Sequence, residues 1–428
     1  MAQQNPLQDI ARWSERESGF KGIPSICSAH PLVLEAAMLR ASRTDSPLLI
    51  EATCNQVNQD GGYTGMKPAD FRRFVEDIAT RTGFPIDRII LGGDHLGPNP
   101  WKSLAAEEAM DEAEQMIRAY AMAGFTKLHL DTSMGCRGEP IALPDELTAT
   151  RAARLAVAAE DAIRDMDGSK PVYVIGTEVP IPGGAMEELG ALEVTKPEAA
   201  VRTVEIHANA FDAAGAGEAF KRVVGVVVQP GVEFGNHNVI DYVPENAKAL
   251  SASRSRMPMI VFEAHSTDYQ SREALRSLVL GGFAILKVGP GLTFALREAL
   301  YGLDQIAAFL HPQARKQTLQ ETAEAVMVEQ PKDWEKYYEG SAAEQHLQRH
   351  YSYSDRIRYY WPQGRLAAAA DELLALLGDT IIPETLISQH LARIYPRVRA
   401  GLVAPRARAL AIAAIDLVLE DYFEAAHG

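Results

Sequence analysis

Between residues 22 and 302 the chain alternates short apolar runs with longer stretches in which apolar residues return every three or four positions. The runs are GIPSIC (22–27), PLLIEAT (47–53), RIILGG (88–93), KLHLD (127–131), PVYVIGTE (171–178), VVGVVVQ (223–229), PMIVFEAH (258–265) and AILKVG (284–289). Several are rich in β-branched residues and nearly continuous in apolar character, the pattern of parallel strands covered on both faces. The stretches between them, such as PLVLEAAMLRAS, PADFRRFVEDIATRTG and SLAAEEAMDEAEQMIRAYAMAG, carry helical periodicity. Eight strands alternating with helices over roughly 280 residues predict an α/β fold, a TIM or (β/α)8 barrel. An open doubly wound sheet alternates in the same way, but it expects a glycine-rich phosphate loop after its first strand. The residues there read SAHPLVLEAA, with no GxGxxG.

The texture changes beyond the eighth run. Residues 331–428 contain helical patterns (DWEKYYEGSAAEQHLQRHY, RLAAAADELLALLGD, IPETLISQHLARIYPRVRAG, PRARALAIAAIDLVLEDYFEAAHG) and no strand-like run. The chain is therefore divided into an N-terminal helical segment (1–21), the barrel (22–310) and a C-terminal helical extension (311–428) packed on the barrel or on a partner. Within the extension, HYSYSDRIRYYWP (350–362) is dense in aromatics and arginine. These side chains are read as packing rather than chemistry. The spacing of His346, His350, Tyr351, Arg356 and Arg358 matches no metal or nucleotide motif.

Composition narrows the partners. At 428 residues, 47% hydrophobic, 23% charged and a net charge of -15, the chain reads as globular, and nucleic acid or an anionic membrane surface is excluded as its main partner. A phosphorylated metabolite stays open, because a helix N-terminus and a few cations suffice to hold one phosphate. No apolar run reaches membrane-spanning length, and the start MAQQNPLQDIARWSERESG lacks the apolar core of a signal peptide. Cys27, Cys54 and Cys136 are far apart and form no CxxC, as expected of free thiols in a reducing compartment. A cytoplasmic protein is expected, with homo-oligomerisation left open.

In a barrel the residues just past the C-terminal ends of the strands share one mouth. Here they are Ser28 and His30, Glu51 and Asn55, Asp94 and His95, Asp131 and Ser133, Glu178, Gln229, Glu263 and His265, and Lys287. So many polar groups at one edge point to a site. His95, His265 and Glu178 are candidate ligands for a divalent metal, zinc first, with Gln229 as a weak fourth. Asp94 is a candidate proton-transfer carboxylate if burial raises its pKa, and Asp131 and Lys287 complete the catalytic candidates. In KVGPGLTFALREAL (287–300), Gly289, Gly291 and Thr293 can present N–H groups to a phosphate at a helix start, with Ser266, Thr267 and Asn55 completing a substrate cradle. A plain tight turn explains those glycines equally well. No GxxxxGK[ST] or kinase glycine loop occurs, so no nucleotide is expected.

With these residues in place, the chain resembles the non-catalytic subunit family of class II D-tagatose-1,6-bisphosphate aldolase, a family also labelled tagatose-6-phosphate kinase. The resemblance runs over nearly the whole chain. It rests on GIPSICSAHPLVLEAA, PLLIEATCNQVNQDGGYTGM, LGGDHLGPNPW, KLHLDTSM, GTEVPIPGG, FEAHSTDYQ and LKVGPGLTFALREAL. The family is similar to catalytic class II aldolases, whose zinc histidine beside a catalytic Asp after strand 3 is matched by Asp94–His95, and whose zinc histidine after strand 7 is matched by His265. Their third zinc histidine follows strand 6, where this chain offers Gln229 and, further on, His237. The resemblance thus implies an incomplete ligand set unless Glu178 or His237 substitutes. It also implies support of a separate class II aldolase catalytic subunit, in galactitol or N-acetylgalactosamine catabolism, with a sugar phosphate as ligand. The alternative is a metal-assisted ketohexose-phosphate epimerase or aldolase in its own right.

Overall fold

The computed structural model describes residues 5–17, 19–177, 192–314 and 316–427. Eight strands close into a parallel barrel in chain order: β1 (Ile23–Cys27), β2 (Leu48–Thr53), β3 (Ile89–Leu96), β4 (Lys127–Leu130), β5 (Val172–Ile175), β6 (Val223–Val228), β7 (Val261–Ala264) and β8 (Ile285–Val288), which pairs back onto β1. The returning helices are α1 (Pro31–Ala41), α2 (Pro68–Thr82), α3 (Ala106–Met122), α4 (Asp145–Ala162), α5 (Pro197–Ala213), α6 (Pro244–Ser253), α7 (Arg272–Leu280) and α8 (Pro290–Leu310). The expected TIM barrel is the observed fold. Its strand limits differ at two places that matter: β3 runs on to Leu96, and β5 stops at Ile175.

The local chemistry explains the helix limits. Proline stands at the start of α1, α2, α5, α6 and α8, where its missing N–H costs no intrahelical bond. His30 caps α1 by accepting the Leu32 N–H at 3.2 Å. Between strands and helices, Val33, Ile50, Phe71, Ile117, Leu128, Ile175, Phe262 and Leu286 are fully buried and form part of one continuous core.

The two ends of the barrel differ. At the N-terminal ends of the strands, a 3-10 helix (Pro6–Glu15) sets Leu7, Ile10 and Trp13 against Ile23, Leu49, Ile90, Val172, Val224 and Val261, an apolar plug. Toward the C-terminal ends the buried side chains turn charged: Glu51, Lys127, Glu263 and Lys287.

The extension packs on the barrel through α9 (Leu319–Glu329), α10 (Ala342–Tyr351), α11 (Gly364–Leu377) and α12 (Ala407–Ala426). The last of these lies against α1, α7 and α8. Arg40 of α1 meets Asp416 of α12 with two buried bonds of 2.7 and 2.6 Å, and Tyr422 Oη donates to Thr267 O at 2.6 Å. Among the described residues no helix is long and apolar enough to cross a membrane.

Candidate active site

Strand alternation would send neighbours Asp94 and His95 to opposite sides of β3. The pairing of β3 with β4 shifts register between Gly93 and Leu96, and His95 takes a left-handed φ of 50°. A bulge of this kind re-aims side chains, and it brings both residues to the mouth. Gly97 lets the chain then pass close to β4, since a Cβ there would lie 1.7 Å from Asp131 O. Asp131 Oδ2 holds His95 Nδ1 at 2.7 Å, while Ser133 Oγ donates to Asp131 Oδ1 at 2.9 Å.

Three imidazoles gather here, and one was not among the candidates. His129 lies inside β4, in line with Lys127 and Asp131 on the alternating positions of KLHLD. The ring centres of His95, His129 and His265 lie 5.0 to 5.2 Å apart. Each ring has one nitrogen on a carboxylate: His95 Nδ1 on Asp131 (2.7 Å), His129 Nδ1 on Asp94 Oδ1 (2.9 Å) and His265 Nε2 on Glu263 Oε1 (3.0 Å). Histidines that bind metals are oriented in this way, the second nitrogen being left to the ion. His129 Nδ1 also meets the His95 backbone N–H at 3.2 Å, and its Nε2 is buried with no hydrogen-bond partner among the described residues. Ligand atoms of Asp94, His129, Glu263 and His265 all lie within 4.8 Å of one another. The donor set fits a divalent cation.

The structure places the expected metal-ligand candidates as follows. Glu178 lies outside the described residues. The Gln229 amide oxygen accepts the Gly231 and Val232 N–H groups at 2.8 and 3.0 Å, so it holds its own loop. His237 is exposed, in the turn of a two-stranded ribbon (Glu233–Phe234 with Val239–Ile240). A third imidazole, His129 of β4, lies beside His95 and His265. Its signal was the K-x-H-x-D alternation, which a reading confined to residues beyond the strand ends passes over.

Beneath the imidazoles lies a charged layer. Lys127 Nζ sits 2.6 Å from Glu51 Oε1 and 2.7 Å from Glu263 Oε2. Lys287 Nζ sits 2.5 Å from Glu51 Oε2 and 2.8 Å from Asp94 Oδ1. Gly92 gives the Glu51 side chain its room, because a Cβ there would meet Glu51 Cγ at 2.6 Å. Burial on its own would raise the Asp94 pKa, as expected from the sequence. The charges of His95 and Lys287 and the His129 hydrogen bond prevail and hold it well below the usual range. Asp94 is therefore a ready carboxylate, not a proton-bearing acid. Against the same burial, Lys127 and Lys287 keep Glu263 ionised, and Asp94, Cys27 and Glu51 keep Lys287 protonated. Burial pushes His265 down to about 4, leaving it a neutral imidazole.

A cavity of about 90 Å³ opens above the cluster, lined by Asn55, Asp94, His95, His265, Ser266 and Lys287 among others. The remaining cradle candidates are engaged elsewhere. Thr267 Oγ1 donates to Lys287 O at 2.6 Å, and Thr293 Oγ1 donates to Asp355 Oδ2 at 2.6 Å. The Gly289 and Gly291 N–H groups both donate to Asp268 Oδ1, at 3.0 and 2.7 Å. The helix-start nest expected for phosphate is thus filled by the chain's own carboxylate. Two residues from the extension, Arg358 and Tyr359, complete the cavity wall. Their segment, dense in aromatics and arginine, does more than pack: it reaches the barrel mouth.

The closed parallel barrel with imidazoles, carboxylates and ammonium groups toward the C-terminal ends of its strands defines the chain as a TIM-barrel protein with a buried His/Asp/Glu cluster compatible with a divalent metal. The model of the D-tagatose-1,6-bisphosphate aldolase subunit GatZ/KbaZ-like family matches residues 7–427, and the chain belongs to that family. It is 68% identical to a solved protein from Sinorhizobium meliloti 1021 named a probable tagatose 6 phosphate kinase, with a TM-score of 0.88, covering 94% of this chain and 100% of that one. The fructuronate-tagaturonate epimerase UxaE from Cohnella laeviribosi aligns at 12% identity and a TM-score of 0.49, covering 95% and 82% of the two chains. The YdjI aldolase from Escherichia coli K12 aligns at 14% and 0.44, covering 89% and 99%. Likenesses that distant carry no weight for function. The chain's role is tagatose-bisphosphate aldolase-related.

Proposed function

We propose that this chain is a subunit in tagatose-1,6-bisphosphate aldolase chemistry whose barrel mouth is a working, metal-assisted site for a phosphorylated ketose. The ring of His95, His129 and His265, each backed by its own carboxylate, carries the reading. A subunit that served as a scaffold alone has no need of that arrangement.

A divalent cation, zinc first, held by His129 and His265 with His95 or Asp94, would polarise a ketose carbonyl and steady the negative charge that develops on its oxygen. The chain's own groups supply the proton chemistry. Asp94 spends Oδ1 on Lys287 and His129 and keeps Oδ2 for a proton, with His95 Nε2 3.7 Å away. Asp131 holds the proton of His95 on Nδ1, which fixes the tautomer that leaves Nε2 facing the site. Lys287 keeps Asp94 charged and lines the same cavity.

A second reading is favoured by the size of that cavity. About 90 Å³ is small beside the roughly 300 Å³ at the lower end of ligand pockets. It supports a subunit that is silent alone and stabilises or activates a separate class II catalytic subunit, as the family description suggests. The kinase name of the Sinorhizobium relative finds no ATP cradle in this sequence.

The deciding experiment measures D-tagatose 1,6-bisphosphate cleavage by the purified chain, by a class II catalytic subunit and by the mixture, with and without a chelator. Chelator-sensitive turnover by the chain alone supports a working site. Silence alone with stimulation of the partner supports the second reading and overturns the first as an aldolase. Epimerisation of a ketohexose phosphate without cleavage would move the site's reaction from lyase to epimerase.

A further inference from the structure

Among the described residues, Arg358 stands at the mouth with no carboxylate in ion-pair contact. One of its terminal nitrogens donates to the carbonyls of Ser354 and Asp355, and the other donates to Tyr359 Oη at 3.1 Å. None of these partners is a carboxylate. Several buried arginines of this chain are paired with acids, Arg40 with Asp416, Arg151 with Glu139 and Arg349 with Glu324, whereas the buried Arg356 donates to the Asp333 carbonyl and lies over the rings of Tyr337 and Tyr359. The Arg358 side chain is half-buried, its charge acts on the carboxylates of Asp268 and Asp355 without ion-pair contact, and the donor fork of a guanidinium matches a phosphate.

Its position adds to this. Beside the mouth cavity lies a chamber of about 610 Å³ between the barrel and the extension. Cys27, Gln56, Tyr63 and Arg358 line both. Arg358 thus sits where the small cavity over the imidazoles meets a space large enough for the rest of a ligand. The usual barrel alternative, backbone N–H groups at the start of the helix after β8, is already taken by Asp268.

We propose that Arg358, supplied by the C-terminal extension, is the anion anchor of this site and binds the phosphate of a phosphorylated ketose where the two cavities meet. This rests on the sugar-phosphate reading above and adds to it a residue and a place. The backbone bonds from Ser354 and Asp355 hold the side chain in position, and Tyr359 orients one end of the fork. The extension is then part of the binding site, and its docking to the barrel becomes a condition for substrate affinity.

Calorimetric titration of the full chain, zinc added, tests this with D-tagatose 6-phosphate, D-tagatose and inorganic phosphate as probes. Wild type should bind the phosphorylated sugar at least about tenfold more tightly than the free sugar, the effect of one or two charged hydrogen bonds. Arg358→Gln should erase that difference and leave D-tagatose binding unchanged. Arg358→Lys, which keeps the charge and loses the fork, should keep part of it and serves as the readout if the glutamine variant does not fold. Unchanged sugar-phosphate affinity in the folded variants overturns the proposal, as does a wild type that binds neither phosphorylated sugar nor phosphate. Arg358-dependent binding of inorganic phosphate, with no sugar phosphate bound, keeps the anchor and removes the ketose reading instead.

Discussion

Asp131 Oδ2 lies 2.7 Å from His95 Nδ1, and the bond links the bulge in β3 to the residue just past the end of β4. The bond fixes which ring nitrogen of His95 carries the proton. It also draws His95 into the same ring of imidazoles as His129 and His265.

Asp131→Asn should therefore act on the site while leaving the fold intact. Loss of such a carboxylate partner typically weakens metal affinity or activity by about 10- to 100-fold. Zinc affinity from competition with a chromophoric chelator is the measurement. An affinity equal to wild type would show that His95 takes no part in metal binding.

The metal content itself is a prediction about His129. The purified chain, loaded and dialysed, should retain zinc by elemental analysis. His129→Ala and His265→Ala should lose it, and His237→Ala should not. Retention in the His129 variant would return the search for the third ligand to the segment containing Glu178.

Lys127 neutralises Glu51 and Glu263 where all three are fully buried. Lys127→Met leaves Glu51 on Lys287 but takes the near ammonium from Glu263, whose distance to Lys287 is 3.9 Å, and breaking a buried pair in this way costs about 3–5 kcal/mol. Urea unfolding should show the loss. Adding Glu263→Gln to the same chain should restore part of it, because less uncompensated charge then remains buried. A single variant as stable as wild type would mean that water reaches the layer.

His207 gives a pH test away from the site. It is buried in α5 with Nδ1 on Thr203 O at 2.8 Å, and burial pushes its pKa down from 6.5 to about 4. As pH falls below 6.5 the unfolded chain takes up the proton and the folded chain does not. The unfolded state binds more protons throughout that window, so stability falls as pH drops toward 4. His207→Leu should flatten that fall by up to about 1.4 kcal/mol per pH unit. Parallel slopes in the two proteins would show that His207 is protonated equally in both states.

Much of this molecule was legible in its sequence. Buried parallel strands carry continuous apolar runs and the helices a clear 3.6-residue period, so β1 to β8 could be read in order. Asp94, His95, His265 and Lys287 were legible because side chains at the ends of barrel strands must share a mouth. His129 was missed because its position inside a strand looks like core until its neighbours are known. At Gly289 and Gly291 the sequence leaves a phosphate nest and a plain tight turn both open, because nothing local reveals that Asp268, from another loop, accepts both N–H groups. The low pKa of Asp94 was hidden for the same reason, since it follows from charges on other strands.

What the sequence by itself determined is the periodic order of strands and helices, and with it the closed barrel and the set of polar groups at its mouth. These follow from local propensity and the burial of apolar faces, which act between near neighbours in the chain. The tertiary structure alone decided which of those groups meet: His129 with Asp94, Lys127 with Glu51 and Glu263, and Arg358 of the extension beside the barrel mouth. Such pairings depend on the closure of the barrel and on the docking of residues far apart in sequence. Their energies arise from distances of a few ångströms that no linear spacing encodes.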